Sequence, residues 1–97
     1  MEPDEVIHQS TRLRLMAALY PLSTDERLDF KQLKTLSRAT DGNLGGHLAT
    51  LEKAGYIQIE KDFVGKKPRT RASLTKDGRR AFERHLDFLR DILERGQ

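Results

Sequence analysis

The chain is 97 residues long with a net charge of +3; 36% of its residues are hydrophobic and 34% charged, which suits one domain over residues 1–97 with a modest core. It has no cysteine, so disulfides and thiolate metal sites are excluded, and no apolar run approaches the ~20 residues of a membrane-spanning helix. The acidic start Met1-Glu2-Pro3-Asp4-Glu5 is unlike a signal peptide, and a soluble cytoplasmic protein is expected.

Residues 4–9 read as a loose turn or a short helical piece. Ser10 is placed to cap a first helix over Thr11–Tyr20, where Leu13, Leu15, Met16, Leu19 and two alanines make most of the circumference apolar. Such a helix sits centrally, with Arg12 and Arg14 on its wet side, and Pro21 stops it. After a polar loop, Arg27-Leu28-Asp29 reads as a brief extended segment. Asp29 then caps a second helix over Phe30–Arg38, buried through Phe30, Leu33 and Leu36, with Lys31, Lys34 and Arg38 outside. Ala39-Thr40-Asp41 is a tight link into a third helix, which makes residues 30–55 a helix-turn-helix candidate.

In the third helix Thr40 is the cap, and Asp41 puts negative charge at the positive end of the helix dipole. Leu44, Leu48 and Leu51 recur at spacings of four and three, so they share one face. Gly55 closes the helix in the left-handed conformation. The other face carries Asn43, Gly45, Gly46, His47, Thr50 and Lys53. It is small and polar, and it suits a DNA major groove. A plain solvent-exposed helix would look the same, so the flanks decide.

From Tyr56 the period changes to two. Ile57, Ile59 and Phe63 alternate with Gln58, Glu60 and Asp62, a turn follows over Val64–Pro68, and Thr70, Ala72 and Leu74 alternate with Arg69, Arg71 and Ser73 in a returning strand. The hairpin spans about residues 56–75. Its tip and outer edge carry Lys66, Lys67, Arg69 and Arg71, four cations in six positions with no acid among them. Residues 61–80 hold 8 basic and 2 acidic groups, whereas residues 1–30 hold 3 and 6. A solvated turn would also be charged, but this local excess is the pattern of a polyanion contact.

Thr75 caps a last helix over about residues 76–94. Phe82, Leu86, Leu89 and Leu93 form one seam, and Ala81, His85, Phe88 and Ile92 form another beside it. One seam is enough to dock the helix. The second implies a partner chain, most simply a symmetric dimer, with Ala81, Phe82, His85, Phe88, Leu89 and Ile92 as the candidate interface. The alternative is that both seams wrap into one broad internal face.

These pieces, in this order, resemble the winged helix-turn-helix DNA-binding domain of small bacterial and archaeal regulators near the MarR and ArsR families. The resemblance rests on His8-Gln9-Ser10-Thr11-Arg12-Leu13-Arg14-Leu15, Leu33 with Leu36, and Thr40-Asp41-Gly42-Asn43-Leu44. It continues through His47-Leu48 with Leu51-Glu52, Ala54-Gly55-Tyr56-Ile57, the Phe63–Thr70 turn, and Leu74-Thr75 with Gly78-Arg79. It implies a mostly α fold with a small β-hairpin: a three-helix core, a wing and a C-terminal dimerisation helix. It also implies a homodimer on double-stranded DNA, with the third helix in the major groove and the wing on the backbone or minor groove. By position those roles fall on Thr40, Asn43, Gly45, Gly46, His47 and Thr50, and on Lys66, Lys67, Arg69 and Arg71. Lys31, Lys34 and Arg38 would add phosphate contacts.

One departure is the pair Gly45-Gly46, where similar proteins carry a polar residue at the first position. The pair either lets the helix backbone approach DNA closely or marks weak direct readout, with specificity from the wing and DNA shape; the second reading is favoured slightly. No enzyme is expected. There is no cysteine nucleophile or phosphate loop, and the three histidines lie on different elements. No cofactor or metal is expected either: His85 and Asp87, two apart on a helix, point about 200° apart and cannot share an ion within one chain, which leaves ligation across a dimer as a lesser reading than a half-buried packing histidine. The competing reading is a winged helix used for protein–protein contact. RNA binding lacks stacking aromatics, since Phe30, Phe63, Phe82 and Phe88 all fall on apolar faces.

Overall fold

A computed structural model describes residues 2–96. The elements run α1 (Ser10–Leu19), β1 (Leu28–Asp29), α2 (Phe30–Ser37), α3 (Asp41–Lys53), β2 (Ile57–Val64), β3 (Lys67–Leu74) and α4 (Lys76–Arg95). The three strands form an antiparallel sheet in the order β1-β3-β2. The expected extended segment at Leu28-Asp29 is thus a third strand on the hairpin's edge.

The core joins Leu15, Met16 and Leu19 of α1, Leu33 of α2, and Leu44, Leu48 and Leu51 of α3 to Ile57, Ala72, Ala81 and Phe82. Ile7 is also fully buried, so the segment expected to be a loose turn is an anchored strap. Its shape comes from Asp4, whose Oδ1 accepts from the backbone N–H of Val6 (3.0 Å) and Ile7 (3.3 Å). The other carboxylate oxygen accepts from the Tyr56 hydroxyl at 2.7 Å. Burial, and then this bond, push the Tyr56 phenol up to about 12, so it stays a donor to Asp4 throughout the physiological range.

Three local expectations change. The cap of α1 is Gln9, whose side chain accepts from Arg12 N–H at 2.9 Å, and Ser10 is already helical. Arg12 is not on the wet side: it turns inward and its Nε donates to the Val6 carbonyl. Leu36 is 52% exposed, because the stripe of α2 narrows to Phe30 and Leu33 once the helix stops at Ser37 and Arg38 turns left-handed at φ 60°. The α2 cap is a capping box, with Asp29 accepting from Gln32 N–H and the Gln32 side chain accepting from Asp29 N–H.

The long helix α4 is clamped at its start. Thr75 Oγ1 accepts from Gly78 N–H (2.9 Å) and donates to the Gly55 carbonyl (2.6 Å), while Thr75 N–H donates to the Tyr56 carbonyl. Gly78 lies so close to Tyr56 that a Cβ there would overlap the Tyr56 backbone carbonyl. At the other side Tyr20 packs on Phe82 with ring centroids 5.1 Å apart and lies under the Arg79 guanidinium. Further along, Phe88 meets the His8 ring of the N-terminal strap with centroids 6.0 Å apart, Leu93 to Gly96 are exposed, and the molecule measures 53 × 27 × 20 Å.

The two apolar seams are therefore divided along the helix rather than around it. Ala81, Phe82 and His85, expected at an interface, are buried inside the protomer, so their side chains pack into its own core. Phe88, Leu89 and Ile92 are half-buried, and Leu93 is 84% exposed.

Gly78→Ala is expected to destabilise the fold by about 2–3 kcal/mol, because backbone rather than a flexible side chain fills the space. Urea unfolding checks this; an unchanged midpoint would show that α4 can shift away from Tyr56 freely.

Candidate nucleic-acid interface

The third helix is capped as its sequence requires: Thr40 accepts from Asn43 N–H at 3.3 Å, and Asp41 in the first turn pairs with Lys34 at 2.7 Å. It ends through Gly55 at φ 81°. With Leu44, Leu48 and Leu51 turned into the core, the outermost strip is Gly42, Gly46, Ala49 and Lys53, at spacings of four, three and four, all exposed. A Cβ added at Gly42, Gly45 or Gly46 would meet nothing within 4 Å. The protein's own packing therefore gives no reason for these glycines.

The other candidates flank this strip. Asn43 and Thr50 are exposed on one side, and the Thr50 hydroxyl donates to the Gly46 carbonyl at 3.0 Å. On that side too, His47 is half-buried against α1, with Nδ1 3.1 Å from Arg12 Nη1. Burial, and then the Arg12 charge, hold the His47 imidazole below its ordinary pKa. Gly45 lies on the opposite flank, beside a cleft of about 520 Å³ between α3 and the sheet, lined also by Phe30, Ala49, Ile59, Lys61 and Thr70.

The wing turns tightly through Gly65, at φ 63°, and Lys66; Lys67 and Pro68 already belong to β3. Direct cross-strand pairs share a face, so Ile59, Lys61, Phe63, Pro68, Thr70 and Ala72 face the α3 side. Glu60, Asp62, Arg69 and Arg71 lie on the other face. There the arginines meet acids that a reading along one strand does not reveal. Arg69 is bidentate on Asp62 (2.8 and 2.6 Å), and Arg71 reaches Glu60 (3.4 Å) and Asp62 (3.5 Å). Arg27 closes the row on Glu60 at 3.1 Å. The Arg69 hydrogen bond, and then the two arginine charges, hold Asp62 below the usual carboxylate range.

The expected four free cations thus reduce to two at the tip. Among the described residues, Lys66 and Lys67 are exposed and make no ion pair, and Lys61 is likewise unpaired on the α3 side. Linear reading missed Lys61, whose strand parity with Ile59 was the available signal. Phe63, expected on an apolar face, instead protrudes from the tip at 70% exposure. On α2, Lys31 and Arg38 are exposed, while Lys34 is held by Asp41.

A small-residue helix and a cationic hairpin on one three-helix body are the parts of a DNA-binding domain, and the comparisons agree. The sequence profile of the winged helix DNA-binding domain matches residues 11–93. The chain belongs to this family. It is 32% identical over 82 residues to an uncharacterised protein of Methanocaldococcus jannaschii, covering 84% of this chain and 86% of that one. Its structure is similar to that of a transcriptional regulator homologue from Pyrococcus horikoshii, with a TM-score of 0.81 and 26% identity over 94% of this chain and 87% of the other. A candidate transcriptional regulator of Salmonella typhimurium shares the fold, with a TM-score of 0.71 and 19% identity over 91% and 75% of the two chains. This winged helix protein belongs to a DNA-binding rather than an enzymatic family.

Two outcomes are expected. Gly45→Ala and Gly46→Ala should each stabilise the winged helix by about 0.5–1 kcal/mol, since the added methyl meets open space and helix propensity improves. Urea midpoints test this; a loss of stability would show a contact that the free chain hides. The second concerns acid. His85 is buried, and among the described residues neither of its ring nitrogens has a hydrogen-bond partner. Burial, and then the nearby His8, lower its pKa, while Asp4 opposes. The unfolded chain takes up protons at His47 and His85 near pH ~6.5, above the folded values. Stability is therefore complete above that pH and falls as pH drops through it. Urea midpoints at pH 7.5 and 5.5 should show the fall, and His85→Leu should lessen it; an equal fall in that variant would exclude His85.

Proposed function

We propose that this winged helix protein is a transcriptional regulator that binds double-stranded DNA as a homodimer in the cytoplasm. In this reading α3 enters the major groove and the hairpin tip lies on the backbone or minor groove. The carrying observation is the Cβ-poor outer strip of α3 on a body whose hairpin shares a cleft with α3 through Lys61 and Thr70 and ends in Lys66 and Lys67, unpaired among the described residues, in a family of DNA-binding domains. Glycine in a helix interior costs stability with no return from this chain's own packing, and close approach of the helix backbone to DNA gives it a purpose. The Pyrococcus horikoshii protein of similar structure is a transcriptional regulator homologue.

Phosphate neutralisation falls on Lys61, Lys66 and Lys67, helped by Lys31, Arg38 and Lys53. Arg69 and Arg71 serve differently: tied to Asp62 and Glu60, they stiffen the hairpin that carries the lysines. Thr40 positions the helix as its cap, and Asn43, His47 and Thr50 supply base-edge groups. The exposed end of α4, with Phe88, Leu89, Ile92 and Leu93, supports pairing of two copies, as in the MarR- and ArsR-like regulators that the sequence resembles. Two copies would read half-sites about one DNA turn apart. Exposed Leu36 and Phe63 favour, as a second reading, a module that docks on another protein.

Fluorescence anisotropy with a random-sequence duplex across a salt series separates the two. About three phosphate contacts per protomer, six per dimer, give a log–log slope near −5; a slope shallower than about −2 would reject the electrostatic contact. Lys66→Glu with Lys67→Glu should lower affinity at least tenfold while leaving any protein partner bound. Gly46→Ala, though more stable, should bind DNA more weakly.

A further inference from the structure

We propose that Arg12 is a positioning residue that locks His47 as a neutral imidazole with its proton on Nε2, so that His47 presents only a donor to an acceptor on a base edge in the major groove. This rests on the DNA-binding reading above and adds a residue outside the helix-turn-helix to it.

The lock follows from what a guanidinium can do. Arg12 Nη1 lies 3.1 Å from His47 Nδ1. Arginine donates and does not accept, so Nδ1 must hold its lone pair toward Arg12, and the proton resides on Nε2. Arg12 has no freedom to relax this geometry. It is half-buried, and its Nε donates to the Val6 carbonyl, next to Ile7, which is fully buried. The guanidinium is therefore gripped from the N-terminal strap on one side and aimed at α3 on the other.

The other ring nitrogen, Nε2, is not among the buried unpartnered atoms of the described residues, which are those of Arg71 and His85. Among the described residues it has no partner either. Nε2–H is thus an unmatched donor that reaches solvent. Its neighbours, one turn either way, are Asn43 and Thr50, and the Thr50 hydroxyl proton is already engaged by the Gly46 carbonyl. The flank consequently offers an amide at Asn43, a donor at His47 and an oxygen lone pair at Thr50.

An unrestrained histidine could present either a donor or an acceptor and would tolerate either kind of base edge. The locked one matches guanine O6 or N7, adenine N7 or thymine O4, and it rejects the amino groups of cytosine and adenine. The charged group facing the ring is Arg12, and a second positive charge on His47 would oppose it. The donor-only form consequently persists at neutral pH.

The test has a DNA-free arm and a DNA arm. Long-range proton–nitrogen NMR of the free protein at pH 7.5 should show His47 Nε2 protonated and Nδ1 bare. Arg12→Met, which keeps the aliphatic stem, should give a tautomer mixture, and Arg12→Lys, which restores a donor, should recover the single form. The DNA arm uses a duplex selected from a random pool, with one acceptor removed at a time: 7-deazapurine for N7, 2-aminopurine for guanine O6, 5-methylpyrimidin-2-one for thymine O4. At one position the wild type should lose about three- to tenfold in affinity, the measure of one hydrogen bond. His47→Ala should be indifferent there, and Arg12→Met should lie between.

A proton on Nδ1 in the free protein overturns the lock, whatever happens with DNA. Wild-type binding with no position that His47→Ala makes indifferent, or a uniform loss with a smaller salt slope, overturns the base contact and assigns His47 to phosphate. No duplex binding in any arm would remove the DNA reading itself and the base contact with it, while the NMR result would still decide the lock.

Discussion

Three leucines decide where everything else can be. Leu44, Leu48 and Leu51 turn one face of α3 into the core, where each is at most 5% exposed. A fully buried leucine contributes roughly 1.5–3 kcal/mol, so the rotation of the helix about its own axis is not negotiable. Once that face is inside, the glycine strip must face outward, and Asn43, His47 and Thr50 must flank it. The same burial seats α3 on α1, which brings Arg12 to His47, and on the base of the hairpin, which sets the cleft beside Gly45.

The ends of α3 are held as firmly as its middle. Thr40 caps the start and Lys34 pairs with Asp41 beside it. At the far end Gly55 turns the chain, and the Gly55-Tyr56 backbone becomes the seat for α4 through Thr75 and Gly78. Tyr56 then reaches Asp4, which shapes the strap that carries Ile7 and receives Arg12. The long helix, the N-terminal strap and α3 are therefore linked by contacts that close on one another.

The wing shows why a count of charges is a weak guide to a binding surface. Its arginines sit across from acids in the antiparallel register, Arg71 opposite Glu60 and Arg69 opposite Asp62. Cross-strand neighbours of opposite charge stabilise a hairpin modestly, and an arginine held bidentate by a carboxylate offers little to a phosphate. The lysines at the tip lie beyond the last acid of β2 and escape this neutralisation. Stiffness and charge are thus separated along the hairpin: arginine pairs in the shaft, lysines at the end.

Much of this was determined by local pattern. The leucine spacing, the caps Asp29, Thr40 and Thr75, the switch from a period of 3.6 to 2 at Tyr56 and the glycine at the hairpin turn are short-range rules, and they placed every helix and the hairpin. The resemblance that those pieces carry named the family. What only the tertiary structure decided depends on residues distant in the chain. Ile7 became core and Leu36 did not, because burial depends on which neighbours arrive. Arg12 turned from solvent toward His47, 35 positions away, and Arg69 and Arg71 lost their freedom to acids on the neighbouring strand. The seams of α4 divided along its length, buried at Ala81, Phe82 and His85 and open at Leu93, because only some turns of the helix meet the other elements, which no periodicity within the helix could state.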